Sequence, residues 1–428
     1  MKITFLSPGT GSYFCGACMR DNALAKALLV AGEEVEMLPM YLPMSLDEEV
    51  LEGSLDKPVF FGGINVFLQQ KCWLFRHTPA WLDRMLNNVT LLRSAAAKSH
   101  MTSARTHGEL ALAMLRLEHS NLRKELDKLV DYLEENKPDL LVLSTALQVG
   151  MIGELKERLG VKVLCCFQGE DTFIDGLPEP YCEGVWQELR ERLPEADGLF
   201  APSRFYAELM KERLGNENLE IEVIPNGIDL EGYGPTDRSG PPKIGYLARM
   251  IRPKGMEVLV DAFIELRNEL KHPDAKLAIA GSATAENQAF VWEMQDKLDA
   301  AGLAKEVGWH TNISRHEKEE FLGGLTLFSV PVLYPEAFGL YVAEALASGV
   351  PVVQPEAAAF PEFIEATGGG VMVPANDAGA LARKWKELLE NREEIKAMGE
   401  RGRRVVVEQF SIGKMQERFM TLAKKLVG

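Results

Sequence analysis

A chain of 428 residues, 46% hydrophobic and 26% charged, has the length for two or three domains and the composition of an ordinary folded protein. Its 63 acidic residues outnumber 47 basic ones, and the net charge of -16 argues against nucleic acid as a partner and against broad attraction to anionic lipid. No apolar run reaches the length of a transmembrane helix, and the opening MKITFLSPGTG enters a strand without a cleavable apolar region, so a cytoplasmic location is expected.

Lys2 to Ser7 reads as a strand, Gly9 to Gly16 as a glycine-rich turn, and Ala17 to Ala31 as a helix stopped by Gly32. Glu34 to Leu38 is the next strand. Short apolar runs of the buried parallel-strand type follow at Asp139 to Leu143, Val161 to Cys166, Gly198 to Ala201 and Ile221 to Ile224. Helical pattern separates the first of these, and the repeated β-α order implies a parallel sheet covered on both faces. A second set begins at Lys243 to Leu247. It continues through Lys276 to Ala280, Glu306 to Trp309, Leu327 to Val332, Pro351 to Val353 and Gly370 to Val373. The pattern is α/β, with two Rossmann-like doubly wound domains in series. The last helices, about Asn391 to Phe410 and Ile412 to Val427, exceed what the second sheet needs.

Residues 45–110 interrupt the alternation. Phe60 to Phe67 has the look of a hairpin, and the aromatic and basic stretches Cys72 to Arg76 and Trp81 to Leu86 come next. Trp and Leu at helical spacing point to a buried helical insertion, with an acceptor lid or a peripheral membrane contact as the other readings. Six cysteines in so long a chain fit a reducing compartment. Only Cys15 and Cys18 have metal or redox spacing. With no second ligand pair in the sequence, a tight loop of small residues is the favoured reading over zinc or redox chemistry.

The most specific stretch is Pro335 to Val353. A helix is expected from Phe338 to Ser348, with Gly349 in the left-handed cap position. Glu336 stands just before it and Glu344 about two turns in. The first amides of such a helix lack intrahelical acceptors and, with the dipole, suit a phosphate or sugar oxygen. Gly339 permits close approach to the backbone. Glu336 there suits hydroxyl groups, and Glu344 suits a vicinal diol such as ribose.

The phrase resembles the E-x7-E signature of retaining nucleotide-sugar glycosyltransferases of the GT-B fold, glycosyltransferase family 4 type. The resemblance implies two domains facing across a cleft. Residues 1–203 would form an acceptor-side domain carrying the insertion 45–110, and 204–408 the nucleotide-sugar domain. Residues 409–428 would be a helix returning to the first domain. It gives Glu336 and the amides of Phe338, Gly339 and Leu340 to the donor sugar and phosphates, and Glu344 to the ribose. Arg249 and Lys254 match the family's R-x4-K element after the first strand of the second domain. There, fixed cations would stabilise the charge that builds on the departing diphosphate. Arg252, between them, takes no assigned role.

Ile224-Pro225-Asn226-Gly227-Ile228-Asp229 resembles a family turn at the entry to the second domain, and Ala280-Gly281-Ser282 another after its second strand. His310 occupies a loop that often meets the base, and is equally readable as a surface histidine. Cys15-Gly16 stands where the family has Gly-Gly, so Gly16 is the candidate for backbone contact with the diphosphate. Two family histidines are missing. Ser144 to Gln148 replaces one, and Gln168 stands for the other in Phe167-Gln168-Gly169-Glu170-Asp171. Gln hydrogen-bonds a hydroxyl but carries no proton at neutral pH. Glu170 or Asp171 would orient the acceptor or cap a helix.

The resemblance therefore implies a metal-independent, cofactor-free retaining hexosyltransferase. Its partners would be a nucleoside diphosphate sugar and a hydroxyl acceptor. A GT-B nucleotide-sugar epimerase and a non-catalytic nucleotide-sugar-binding protein are the alternatives.

Overall fold

Leu140–Leu143 shows why the first sheet forms: four consecutive branched apolar residues are all buried, as a strand flanked on both faces requires. In the computed structural model every residue is described except 10–15, 45, 47–48, 55–56, 79–91, 93–103, 237 and 239. Six strands make the first sheet: β1 Lys2–Ser7, β2 Glu34–Pro39, β3 Leu140–Leu143, β4 Lys162–Cys166, β5 Gly198–Ala201 and β6 Glu222–Val223. Their order is β2-β1-β3-β4-β5-β6 and all pairs are parallel. In register, Ile3 lies opposite Val35 on one side and Leu140 on the other.

The second sheet has β7 Lys243–Leu247, β8 Lys276–Gly281, β9 Val307–Thr311, β10 Leu327–Phe328, β11 Val352–Pro355 and β12 Gly370–Val373. The order is β12-β11-β10-β7-β8-β9, again parallel. In each sheet the order reverses beside the first strand. Ligands of open parallel sheets bind outside the carboxyl ends of the strands near such a reversal.

The chain divides into Met1–Gly227 with Met415–Gly428, and Ile228–Lys414. The expected boundary at 203/204 is too early. Helix Arg204–Leu214 packs on the first sheet, and β6 pairs with β5 through Phe200 opposite Glu222. A strand hydrogen-bonded into a sheet cannot belong to another unit. The last helix, Ile412–Val427, buries Met415, Phe419 and Ala423. Phe419 stacks on Phe5 at 5.9 Å and meets Phe200 edge-on at 6.1 Å. Each fully buried aromatic of this kind is worth about 2 kcal/mol.

The hairpin expected at Phe60 to Phe67 is absent. Phe60 makes one parallel bridge to Met40, and Gly63–Lys71 is a helix. Asn65, Val66 and Gln69 are buried at helical spacing, and the Gln69 amide donates to Glu125 Oε1 at 2.7 Å. That partner lies 56 positions away. Trp73 and Leu74, expected in a buried insertion, are 64% and 59% exposed. The stretch Trp81 to Leu86 lies outside the described residues.

Candidate active site

Lys254 and Glu336 meet beyond the carboxyl ends of β7 and β10. Lys254 ends a short 3-10 turn, Arg252–Lys254, and Gly255 follows with φ +72°. A Cβ on Gly255 would sit 1.7 Å from the Pro331 carbonyl oxygen, so only glycine lets the two loops approach this closely. The Leu333 amide donates to the Pro253 carbonyl at 2.8 Å and fastens the loops again. Lys254 is thereby buried, and its Nζ donates to Glu336 Oε2 at 2.6 Å.

Two tyrosines complete the cluster. Tyr334 donates its hydroxyl to Glu336 Oε2 at 2.7 Å, and Tyr341 does so at 2.8 Å. Their rings lie 5.0 and 4.9 Å from the Lys254 ammonium, within cation–π range. Burial by itself would raise the Glu336 carboxyl. Lys254 and the two hydroxyls outweigh it and hold Glu336 below the usual carboxylate range. Burial and the Glu336 charge together push both tyrosines well above the usual phenol range. The carboxylate is thus an ionised acceptor, and its neighbours stay donors.

Arg249 lies at the exposed mouth of the same loop and forms no ion pair with a described residue. Its positive charge reaches Lys254 and Tyr334. The Tyr246 hydroxyl donates to its carbonyl at 3.3 Å and steadies the loop. Arg252, left without a role, pairs with Glu257 and Glu293 and lies over the Phe290 ring at 4.6 Å. Those contacts occupy it at the surface.

The helix after Glu336 runs Leu340–Ala347, starting two residues later than expected. Gly339 caps it with φ +83°, a conformation β-branched and bulky side chains avoid. The Phe338 side chain is core, edge-on to Phe363 at 5.3 Å, so only its backbone is available to a ligand. Gly349 ends the helix in the left-handed conformation. Its amide donates to Leu346 and the Val350 amide to Ala345.

Glu344 is buried on that helix. Tyr233 donates to its Oε1 at 2.8 Å and Lys318 Nζ donates to the same atom at 2.9 Å. Sequence reasoning missed both partners. Lys318 carries a weak signal, a lysine four positions before Leu322 on the buried side of helix Arg315–Gly323. His310 is exposed and edge-on to Phe321. A cavity of about 510 Å³ elsewhere in this unit is lined by Lys276, His310 and Phe321, among others, and none of Arg249, Lys254, Glu336 or Glu344 lines it.

In the first unit, Gly16 opens helix Gly16–Val30, and Cys15 lies outside the described residues. Cys18 is buried. Glu170 is a hub. It accepts from the Ala146 amide at 2.9 Å, the Gln168 amide at 2.8 Å and the Tyr206 hydroxyl at 3.2 Å. Asp171 accepts from Tyr206 at 2.7 Å, and burial pushes its carboxyl up. Gly169, with φ 104°, occupies the cap position of the helix that both residues open, so neither acid is the cap. Gln168 Nε2 donates to Cys166 Sγ at 3.1 Å, and the buried Arg20 donates to the same sulfur at 2.8 Å. Arg20 pairs with Asp21 at 2.6 Å, and Ser7 donates to Asp21 at 3.0 Å. Nothing in the sequence pattern singled out Arg20, because it stands in an otherwise ordinary helix.

Two family descriptions match the chain: Glycosyl transferases group 1 over residues 235–405 and Glycosyltransferase Family 4 over residues 80–231. The chain belongs to the family 4 type of GT-B glycosyltransferases. The first match contains Arg249, Lys254, Glu336 and Glu344, and the second contains Gln168, Glu170 and Asp171. Lipopolysaccharide core biosynthesis mannosyltransferase LpsB of Rhizobium meliloti is 32% identical over 208 residues, covering 44% of this chain and 56% of that protein. Phosphatidyl-myo-inositol mannosyltransferase of Mycobacterium leprae is 29% identical over 215 residues, covering 49% and 53%. The chain spans about half the length of the curated relatives it matches.

Among solved structures, sucrose-phosphate synthase from Thermosynechococcus elongatus superimposes with a TM-score of 0.72 at 18% identity, covering 100% of this chain and 99% of that one. Anabaena HepE in complex with UDP-glucose gives 0.66 at 16% identity, covering 99% and 100%. At such identities the likeness is one of fold. No helix among the described residues of this family 4 member is long and apolar enough to cross a membrane.

Proposed function

We propose that the protein transfers a hexose from a nucleoside diphosphate sugar to a hydroxyl acceptor, with retention of anomeric configuration and without a metal ion. The observation that carries this reading is the Lys254–Glu336 pair with Arg249 beside it, at the carboxyl ends of β7 and β10. An ionised acceptor, one cation held in place and a second exposed beside it at one strand-end site suit a sugar hydroxyl and a diphosphate.

Arg249 and Lys254 stabilise the negative charge that grows on the β-phosphate as the sugar–oxygen bond breaks. Lys254 is already held in place, so its charge favours the transition state over the ground state. The two cations supply the positive charge that a metal would otherwise bring. Glu336, with the backbone at Phe338, Gly339 and Leu340, holds the sugar. Glu344 takes the ribose, oriented by Lys318 and Tyr233. Gly16 offers a backbone amide to the diphosphate. Gln168 meets the acceptor, and Glu170 and Asp171 act through the loops they hold. A glutamine cannot take the acceptor proton. In this reading the departing phosphate takes it, on the same face as the attacking oxygen, which gives retention.

The relatives named above support a hexose donor: two are mannosyltransferases by name, and HepE is seen with UDP-glucose. The test is release of nucleoside diphosphate from candidate sugar nucleotides with and without an acceptor, and the anomeric configuration of the product by NMR. Acceptor-dependent release with retention supports the reading. Epimerised donor, or binding without turnover, overturns it in favour of an epimerase or a binding protein.

A further inference from the structure

We propose that Tyr334 and Tyr341 are positioning residues that assign the two oxygens of Glu336 to separate tasks, Oε2 to the protein and Oε1 to one hydroxyl of the transferred sugar. The inference rests on the donor-site reading above and adds a sugar-selecting device to it.

Three donors converge on one atom. Lys254 Nζ, the Tyr334 hydroxyl and the Tyr341 hydroxyl all reach Oε2, at 2.6, 2.7 and 2.8 Å. A carboxylate oxygen has two in-plane lone pairs, so three donors saturate Oε2. Oε1 receives none of these bonds and is not among the buried atoms left without a partner, so it faces accessible space. A lysine stem alone would allow the carboxylate to turn, because its four-carbon chain follows the oxygen. Two phenols on short rigid side chains do not. Tyr334 stands two residues before Glu336 and Tyr341 at the start of the following helix, so the carboxylate is gripped from both flanking segments.

An ionised carboxylate only accepts, so the group that meets Oε1 is an O–H donor in a fixed direction. A site of this kind rejects an analogue lacking that hydroxyl, because Oε1 is then left unpaired. The other groups facing Glu336 are accounted for. Lys254 is the counter-charge, Arg249 contributes positive charge from the loop after β7, and Tyr246 is turned to the Arg249 carbonyl. The two rings also flank the Lys254 ammonium. A Tyr→Phe change therefore keeps the ring faces and removes only the hydroxyl.

The experiment compares the full-length wild type with Tyr334→Phe/Tyr341→Phe and with Tyr341→Phe alone, each checked for an unchanged melting temperature. The readouts are kcat and KM for a nucleoside diphosphate hexose and for deoxy donors lacking one hydroxyl each, and Kd for the nucleoside diphosphate. The double variant is expected to lose about 10- to 100-fold in kcat/KM for the full sugar. Its discrimination against one particular deoxy donor should collapse toward unity, while nucleoside diphosphate affinity stays within about twofold. The single variant should fall between, and remains the test if the double variant does not fold. Wild-type discrimination retained in both variants overturns the proposal. Should the wild type itself fail to discriminate among deoxy donors, Glu336 does not hold the sugar and the donor-site reading falls, whatever the tyrosines do.

Discussion

Lys254 and Glu336 are 82 positions apart in the chain and 2.6 Å apart in the fold. The pair is made by two loops that leave neighbouring parallel strands, β7 and β10, and meet where Gly255 passes under Pro331. Ions this well buried cost desolvation energy, and breaking the pair leaves one of them uncompensated.

Glu336→Ala should abolish transfer and also destabilise the fold, by about 3 kcal/mol, because Lys254 loses its counter-ion. Lys254→Met in the same background should restore part of that stability but none of the activity. Urea unfolding of the two single variants and the double variant measures the coupling. Strictly additive losses would show that the two side chains do not interact as described.

Arg249 is exposed and forms no ion pair with a described residue, so its removal should leave stability within about 0.5 kcal/mol of wild type. If it stabilises the departing diphosphate, Arg249→Ala lowers kcat by about 10²-fold. A change in KM alone would assign it to ground-state binding instead.

The pH dependence follows from Glu336. Its folded-state carboxyl lies below the ordinary 4.5, so its contribution to stability is complete above that value and is lost as pH falls through the lowered one. Thermal unfolding followed from pH 6 downward should show a steeper acid loss in wild type than in Glu336→Gln. Parallel curves would mean that the carboxyl is not held ionised.

Glu170 makes a contrasting case. Three donors from two loops and one helix converge on it. Glu170→Ala should cost about 1–3 kcal/mol for each of the two amides left unpaired, those of Ala146 and Gln168, since Tyr206 keeps Asp171, and this is read as a lowered melting temperature. Unchanged stability with a raised acceptor KM would mean that the carboxylate meets the acceptor directly.

Much of the fold was legible because parallel strands buried on both faces are short apolar runs that local pattern reveals, as at Leu140–Leu143 and Lys243–Leu247. The segment around Gly63 was misread. Phe60, Gly62, Ile64 and Val66 alternate locally, whereas the helix is held by the distant Glu125. The residues of the E-x7-E and R-x4-K elements were visible through their resemblance to a known family, since spaced glutamates alone mean little. Tyr334, Tyr341, Lys318 and Tyr233 were not, because a tyrosine or lysine becomes part of a site only through long-range register. Phe338 was assigned through its backbone amide, and its side chain packs in the core against Phe363.

Calorimetric titration of UDP-, GDP- and ADP-hexoses into wild type, Lys254→Met and Glu336→Gln tests the central claim most directly. One sugar nucleotide should bind the wild type selectively. Lys254→Met should weaken both that ligand and its free nucleoside diphosphate, and Glu336→Gln should weaken the sugar nucleotide alone. Equal affinities across the three proteins would place the donor somewhere other than the Lys254–Glu336 pair.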